Sequence, residues 1–556
     1  MLSLLTAHII ITACCFWSGY LFYTLIAKEN VQRPIIFYLV SGLVSLTILA
    51  QIIALIFPIG SITKSILATI LLASALFKWN DCKNLFKRIF LEFATWPTTS
   101  LIFLSLSWAI VLIINAGPTM MDDTESYHIQ SIKWIQQYGS VPGLANLHER
   151  FGFNSSWFSS VALFSFSSKT TGGFTVLNGV LSMWLCYWFI SKYNQFRREN
   201  NLHASFGILI IFIVSIAVWP LVRGNAATSN YDFITTAIVF ILFTEAFFNE
   251  NISPWLEWII WPVYLFTVRI INFPILVLSL FAFIILIRQK NFRATFLPIA
   301  CCLLLIVPFL IRNIIIAGYP FYPATYFDLT NVDWKPDPEL TGRLIEYIKY
   351  YNRVSTTYLE IEQTKALGAS WVPAWLKYLF VFDKILVLAG LAGILFGGVN
   401  LFIQKSNYNR SIIIAVMIAW LIGWFIVSPD PRFVYGVLLF GIFLLAYHVL
   451  FFIKDTGLIK FLLRVLITFL IAGLSYYLVS KPLKQTEYRN WVSPLQLPQP
   501  PVKETVIDGI KFRIPGSINN NWNARCFGTE LPCLYKIDPR LRARGKNIRS
   551  GFHLEK

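Results

Sequence analysis

Apolar residues in this chain fall in long runs separated by short polar connections. Runs long enough to cross the hydrocarbon core of a bilayer lie near residues 3 to 26, 35 to 57, 62 to 78, 99 to 116, 171 to 191, 205 to 222, 232 to 248, 254 to 268, 272 to 287, 295 to 316, 384 to 403, 411 to 428, 433 to 453 and 461 to 480. This pattern predicts an all-α polytopic membrane protein with about fourteen transmembrane helices. The two runs flanking Arg269 are short, and read equally as one broken helix or as a hairpin that barely crosses.

Lys and Arg in the short connections set the orientation of such a chain. They concentrate in KENVQR, KWNDCKNLFKR, SKYNQFRRENN, RQKNFR, QKSNYNR and KDTGLIK, which alternate with FPIGSI, RGNAATSNYD and VSPDPRF, where they are few. The first set reads as cytoplasmic, which leaves both termini extracytoplasmic. The chain then divides into an N-terminal membrane segment over 1–116, an outward loop over 117–170, central helices over 171–316, a second outward loop over 317–383, C-terminal helices over 384–480 and a small extracytoplasmic tail over 481–556. The opening MLSLLTAHIIITACCFWSGYLFYTLIA carries no basic residue ahead of its apolar run, and reads as a reverse anchor in place of a cleaved leader.

Composition agrees with this topology. Hydrophobic residues make up 56% of the chain and charged residues 13%, far from soluble averages. The formal charge of +18 is the one feature that points toward nucleic acid, yet the basic residues sit in loops between apolar runs and in the tail. Membrane orientation accounts for the loop charges, and no nucleic-acid partner is expected. Of eight cysteines, only Cys526 and Cys533 lie in the hydrophilic tail, bracketing CFGTELPC. In an oxidising compartment that pair reads as a disulfide.

One polar stretch stands apart. GPTMMDDTESYHIQSIKWIQQYG, residues 117 to 139, follows an apolar run directly and brings Asp122, Asp123, Glu125 and His128 together. From Thr124 the apolar positions Tyr127, Ile132, Trp134, Ile135 and Tyr138 share one side at helical spacing, which predicts a short interfacial helix along the membrane surface. Asp122 or Asp123 suits its N-cap, and Asp122 with Glu125 has capping-box spacing. Capping uses one carboxylate; the second, and His128, are left for chemistry. A carboxylate near a helix N-terminus stays ionised and suits a base or a metal ligand better than an acid.

An acidic pair in the first large outward loop, leading into a surface helix, resembles the signature of the GT-C glycosyltransferases. These polytopic enzymes, related to protein mannosyltransferases and to the lipid A aminoarabinose transferase, use polyprenyl-phosphate sugars. The wider string DTESYHIQSIKWIQQYGSVPGLANLHERFGFNSSWF, with RNIIIAGYPFYP, SPDPRF and LPCLY, is similar to a family of bacterial multi-pass proteins usually assigned to that superfamily. In GT-C enzymes the motif usually follows the first span, whereas about four spans precede it here. The resemblance implies inverting transfer of a sugar from a polyprenyl-phosphate donor to a glycan, lipid or protein acceptor at the outer face of a bacterial inner membrane. It implies Asp123 as base, with Asp122 second.

That chemistry needs cations for the leaving phosphate. Arg223, Arg269, Arg312 and Arg432 fall at outward ends of apolar runs, where a guanidinium needs an anionic partner, snorkels, or pairs with Asp232 or Asp430. Glu125, Tyr127, His128 and His148 are candidates for substrate contact, and His148, Glu149 and Arg150 form a polar knot. No Walker motif, Gly-rich nucleotide fingerprint or HExxH is present, so no nucleotide cofactor is expected; a divalent cation remains open. Two rivals stand beside this reading. An O-antigen polymerase or ligase would rest on outward arginines and a histidine; a lipid-linked glycan transporter would need polar residues at mid-membrane, where this chain is apolar.

Overall fold

The computed structural model describes every residue except 27–32, 219–220, 249–255, 289–291, 355–360, 404–407, 454, 517–524 and 556, so parts of KENVQR, RQKNFR, QKSNYNR and KDTGLIK lie outside the described residues. Ten described helices are long and apolar enough to cross a membrane: Leu2–Ile26, Ile35–Ile56, Thr98–Ala116, Thr171–Arg198, Ile270–Arg288, Phe296–Ala317, Val381–Asn400, Tyr408–Val427, Pro431–Val449 and Thr456–Lys484. The pair Ser61–Phe77 and Trp79–Ala94, bent by 92°, makes up to eleven. The protein is a helical, multi-pass membrane protein. Three other apolar runs form shorter helices, Leu202–Ala217, Asp232–Phe248 and Leu256–Val268.

The bundle is built around Thr171–Arg198 and Asp232–Phe248, whose side chains are almost all buried. Thr456–Lys484 is the opposite case, with few of its apolar side chains buried, as a lipid-facing helix requires. Small residues let helices approach closely where they cross. A Cβ added to Gly42 would stand 1.7 Å from the Cys15 carbonyl oxygen, and one on Gly393 1.8 Å from that of Gly441. Around Arg269 the hairpin reading is the one that forms. Leu256–Val268 turns through a 3₁₀ segment, Ile270–Ile275, into Leu276–Arg288, which packs back on it.

Two connections differ from expectation. KWNDCKNLFKR, read as a loop, is helical from its second residue, within Trp79–Ala94, which exposes Trp79, Phe86 and Phe90. Apolar residues at helical spacing hold this segment helical despite its charge. The predicted surface helix also forms, as a π-helical turn Thr124–His128 running into the α-helix Ile129–Gln137. It does not lie bare on the membrane, because every residue from Thr124 to Ile135 is buried.

The tail supplies the cover. It folds into two antiparallel hairpins, β1 (Val502–Ile507) with β2 (Ile510–Pro515) and β3 (Leu541–Ala543) with β4 (Phe552–Leu554), strands that the all-helical expectation lacked. Asp508 and Gly509 link the first pair with φ of 49° and 82°, the left-handed backbone a two-residue hairpin needs. Chain segments remote in sequence are gathered at this one end of the bundle. The Leu2 amide donates to the Trp491 carbonyl, Leu495 to Ala116, Leu497 to Lys169, and Phe552 to Pro142, while Arg544 forks onto Asp333 at 2.7 and 3.0 Å. The second loop contributes the helix Pro338–Val354.

Lys133, on the polar side of Ile129–Gln137, is buried with its ammonium on the carbonyls of Gly528 at 2.8 Å and Thr529 at 2.7 Å. Burial pulls its pKa down from 10.5 to about 8, with Glu530 opposing and Arg513 adding to the fall. Between these two values the folded chain holds fewer protons than the unfolded chain, so rising pH favours the folded state there. Thermal unfolding in detergent is expected to shift upward from about pH 8 toward 10 relative to a Lys133→Met variant, which lacks this increment; parallel curves for the two proteins would contradict it.

Candidate functional site: a junction of arginines and aspartates

Five residues separate the helix Thr98–Ala116 from Asp122, where the acid turn begins, and its two aspartates diverge. Asp123 occupies the N-cap position with helical backbone angles and makes no capping hydrogen bond. Its carboxylate accepts from Arg150 at 2.8 Å and from Arg432 at 3.4 Å. Asp122, with a 65% exposed side chain, pairs with Arg525, which also donates to Glu125 at 2.7 Å. The capping expectation is therefore not realised, because guanidinium groups offer these carboxylates stronger, charge-assisted bonds than backbone amides do.

Arg432 links the rest. Its guanidinium lies 2.9 Å from Asp430 and 3.7 Å from Asp232, and Asp232 in turn binds Arg269. Each residue is set by local chain chemistry. Asp430 accepts the Arg432 amide at 3.1 Å, which fixes the SPDPRF turn; Asp232 opens the buried helix Asp232–Phe248; Arg269 stands in extended backbone between two helices. Arg150 rides on a 3₁₀ turn capped by His148, whose Nδ1 accepts its amide at 3.0 Å. Three arginines and three aspartates from four separated segments thus form one charge-balanced network. Aromatic rings wall it: the Arg269 guanidinium lies 3.6 Å from the Phe433 ring centroid and 5.3 Å from that of Tyr231, and Arg150 lies 5.4 Å from that of Tyr127.

The electrostatics give the acids different characters. Burial alone would raise Asp123, but the charges of Arg432, Arg150 and Arg269 outweigh it and hold the carboxyl below its ordinary value. Burial raises Glu125, and the Thr119 hydroxyl and Arg525 offset only part of that rise. Burial also lowers His128 to about 3, so its imidazole is neutral; its Nδ1 lies 3.4 Å from the Thr124 hydroxyl and its ring packs against Tyr127, Phe158 and Tyr231. His128 is a packed, neutral residue beside the network. Tyr127 meets Tyr231 hydroxyl to hydroxyl at 3.4 Å.

Of the residues singled out in the sequence, Asp123, Tyr127, His128, Arg269 and Arg432 converge, with Asp122 and Glu125 joined to them through the acid turn. His148 contributes indirectly, beside Glu149 at 3.3 Å and against the Tyr535 ring. Two arginines join other partners. Arg223 donates to the Ala217 carbonyl and lies over Tyr477, and Arg312 donates to Asn154. Arg150 and Arg525 are direct partners of the acids that the candidate set omitted. Arg150 had a signal in the HER knot; Arg525 had only its place next to Cys526, which does form a disulfide with Cys533. Among the described residues, no three His, Cys, Asp or Glu side chains converge to hold a metal ion.

Asp232 is the most buried anion of the network, and it serves two guanidinium groups. Its replacement by Asn leaves charge uncompensated, a change that typically costs about 3–5 kcal/mol. We expect Asp232→Asn to lower the unfolding midpoint sharply, and Asp232→Asn with Arg269→Gln to recover part of the loss. Additive losses in the double variant would contradict the coupling.

Neither curated proteins nor solved structures provide a match to the chain. A family model described as a domain of unknown function, DUF8201, matches residues 1–439, which hold the acid turn, Arg150, Asp232, Arg269, Asp430 and Arg432. The protein belongs to the DUF8201 family.

Proposed function

We propose that this protein is a GT-C-type glycosyltransferase of the bacterial inner membrane, moving a sugar from a polyprenyl-phosphate donor to a glycan, lipid or protein acceptor at the extracytoplasmic face. The observation that carries the reading is Asp123: ionised, 21% exposed at its side chain, free of any capping duty and held by two arginines. An inverting transfer needs such a carboxylate to take the proton of the acceptor hydroxyl as its oxygen attacks the anomeric carbon. The bond to the donor phosphate then breaks, and charge develops on a leaving group that guanidinium forks match. In this scheme the donor phosphate competes with Asp123 for Arg150 and Arg432. A carboxylate released from its arginines becomes the stronger base, so donor binding would prepare the proton acceptor.

The topology in this proposal has about fourteen crossings, the shorter helices completing the count, and both termini outside. Its support is the gathering of the N-terminus, both long loops and the tail at one end of the bundle, together with a disulfide there. Bound lipid surrounds the bundle as solvent, and a divalent cation is not required by the scheme.

Asp123→Asn is expected to reduce transfer of a lipid-linked sugar about 10²- to 10⁴-fold, with membrane abundance unchanged. The readout is restoration of surface glycan in a strain lacking the protein. Full restoration by Asp123→Asn, with loss in Arg432→Gln, would instead favour an O-antigen ligase or polymerase, whose chemistry rests on arginines. An impermeant thiol reagent should reach a cysteine placed at Glu555 and miss one at Lys83; the reverse pattern would invert the topology.

A further inference from the structure

The disulfide-closed loop of the tail lies outside the family-matched region, yet it makes direct polar contacts to the acid turn and the helix after it. The Phe527 amide donates to the Glu125 carbonyl at 2.8 Å. Gln130 donates to the carbonyls of Phe527 at 3.1 Å and Thr529 at 3.0 Å, and Lys133 to those of Gly528 and Thr529. Arg525, the residue before the first cysteine, spans Asp122 and Glu125. A backbone bond, two buried side chains and a bridging guanidinium thus grip the turn and the first two helical turns after it. On its own side the loop is tied to β2, the Leu534 amide donating to the Arg513 carbonyl at 3.0 Å and the Arg513 amide to Pro532 at 3.0 Å.

We propose that this loop is the positioning element of the acid turn, that Arg525 is a positioning residue, and that the site is assembled only once Cys526 and Cys533 are joined. The inference rests on Asp123 being the working carboxylate. Gln130 and Lys133 need three carbonyls presented at fixed spacing within residues 527 to 529, and the eight-residue ring closed by the disulfide holds those carbonyls together. An open chain loses that spacing, and the polar side of Ile129–Gln137 then has buried donors without acceptors, which drives it toward water. The π-helical turn Thr124–His128, with Asp122 and Asp123 immediately ahead of it, moves with it.

Closing the loop converts two thiols to one disulfide and passes two electrons and two protons to a thiol–disulfide oxidant, the reagent class of oxidising compartments; a dithiol reductant returns them. The site would therefore remain incomplete until the tail has reached that compartment.

The test is hydrogen exchange of the full-length protein in detergent, read at residues 122 to 137, before and after reduction by a dithiol, and in Arg525→Gln, Arg525→Lys and Cys526→Ser/Cys533→Ser variants. Reduction or loss of the cysteines should raise exchange in that segment while the helix Thr171–Arg198 stays protected, which separates undocking from unfolding. Glycan restoration should fall about 10- to 100-fold in Arg525→Gln, as for other residues that orient a reacting group, with Arg525→Lys recovering part. Unchanged exchange at 122 to 137 after complete reduction overturns the proposal. Raised exchange with undiminished glycan restoration also overturns it, provided Asp123→Asn is inactive; if Asp123→Asn is itself active, the glycosyltransferase reading has failed, and the exchange result alone decides whether the loop positions the turn.

Discussion

Pairing of guanidinium with carboxylate at one end of a helix bundle is the constraint from which the rest of this structure follows. Arg432 touches three aspartates brought from the first loop, from the start of a central helix and from its own turn. Any one of these partly buried charges left alone would be unfavourable, most of all Asp232. The helices that carry them must therefore meet at this point, and the close crossings at Gly42 and Gly393 elsewhere in the bundle leave little slack for another arrangement. Fold and site are set by the same requirement.

The balance also constrains chemistry. Three positive and three negative groups neutralise one another, so an entering anion must take a guanidinium from a carboxylate already present. A network of this kind resists occupation by weakly binding anions. Arg150 and Arg269 also lie over the rings of Tyr127, Tyr231 and Phe433, which limits how far each can swing.

Much of the membrane architecture was legible because the hydrocarbon core imposes a length and a polarity on each crossing, and sequence records both directly. The tail cysteines were legible for a similar reason, as the pair outside the apolar runs and the loops read as cytoplasmic. The acid stretch announced itself by density of charge. What escaped was convergence. Arg150 lies 27 residues from Asp123 and Arg432 lies 309, and no periodicity connects them. The helix after the acid turn was misjudged for a related reason: its polar side reads as solvent-facing, and only the folded tail reveals that the partners of Gln130 and Lys133 are backbone carbonyls, which carry no sequence signature.

Asp122 and Arg525 stand 403 residues apart in the chain. At a synthesis rate of about 5–20 residues per second, the carboxylate waits roughly 20–80 s after leaving the ribosome before its partner exists. Throughout that interval Arg150 and Arg432 are already available to Asp123, while Asp122 and Glu125 still lack the guanidinium that spans them. A chain cut short ahead of Arg525 would keep the inserted bundle and its first loops, yet lack the guanidinium that spans Asp122 and Glu125.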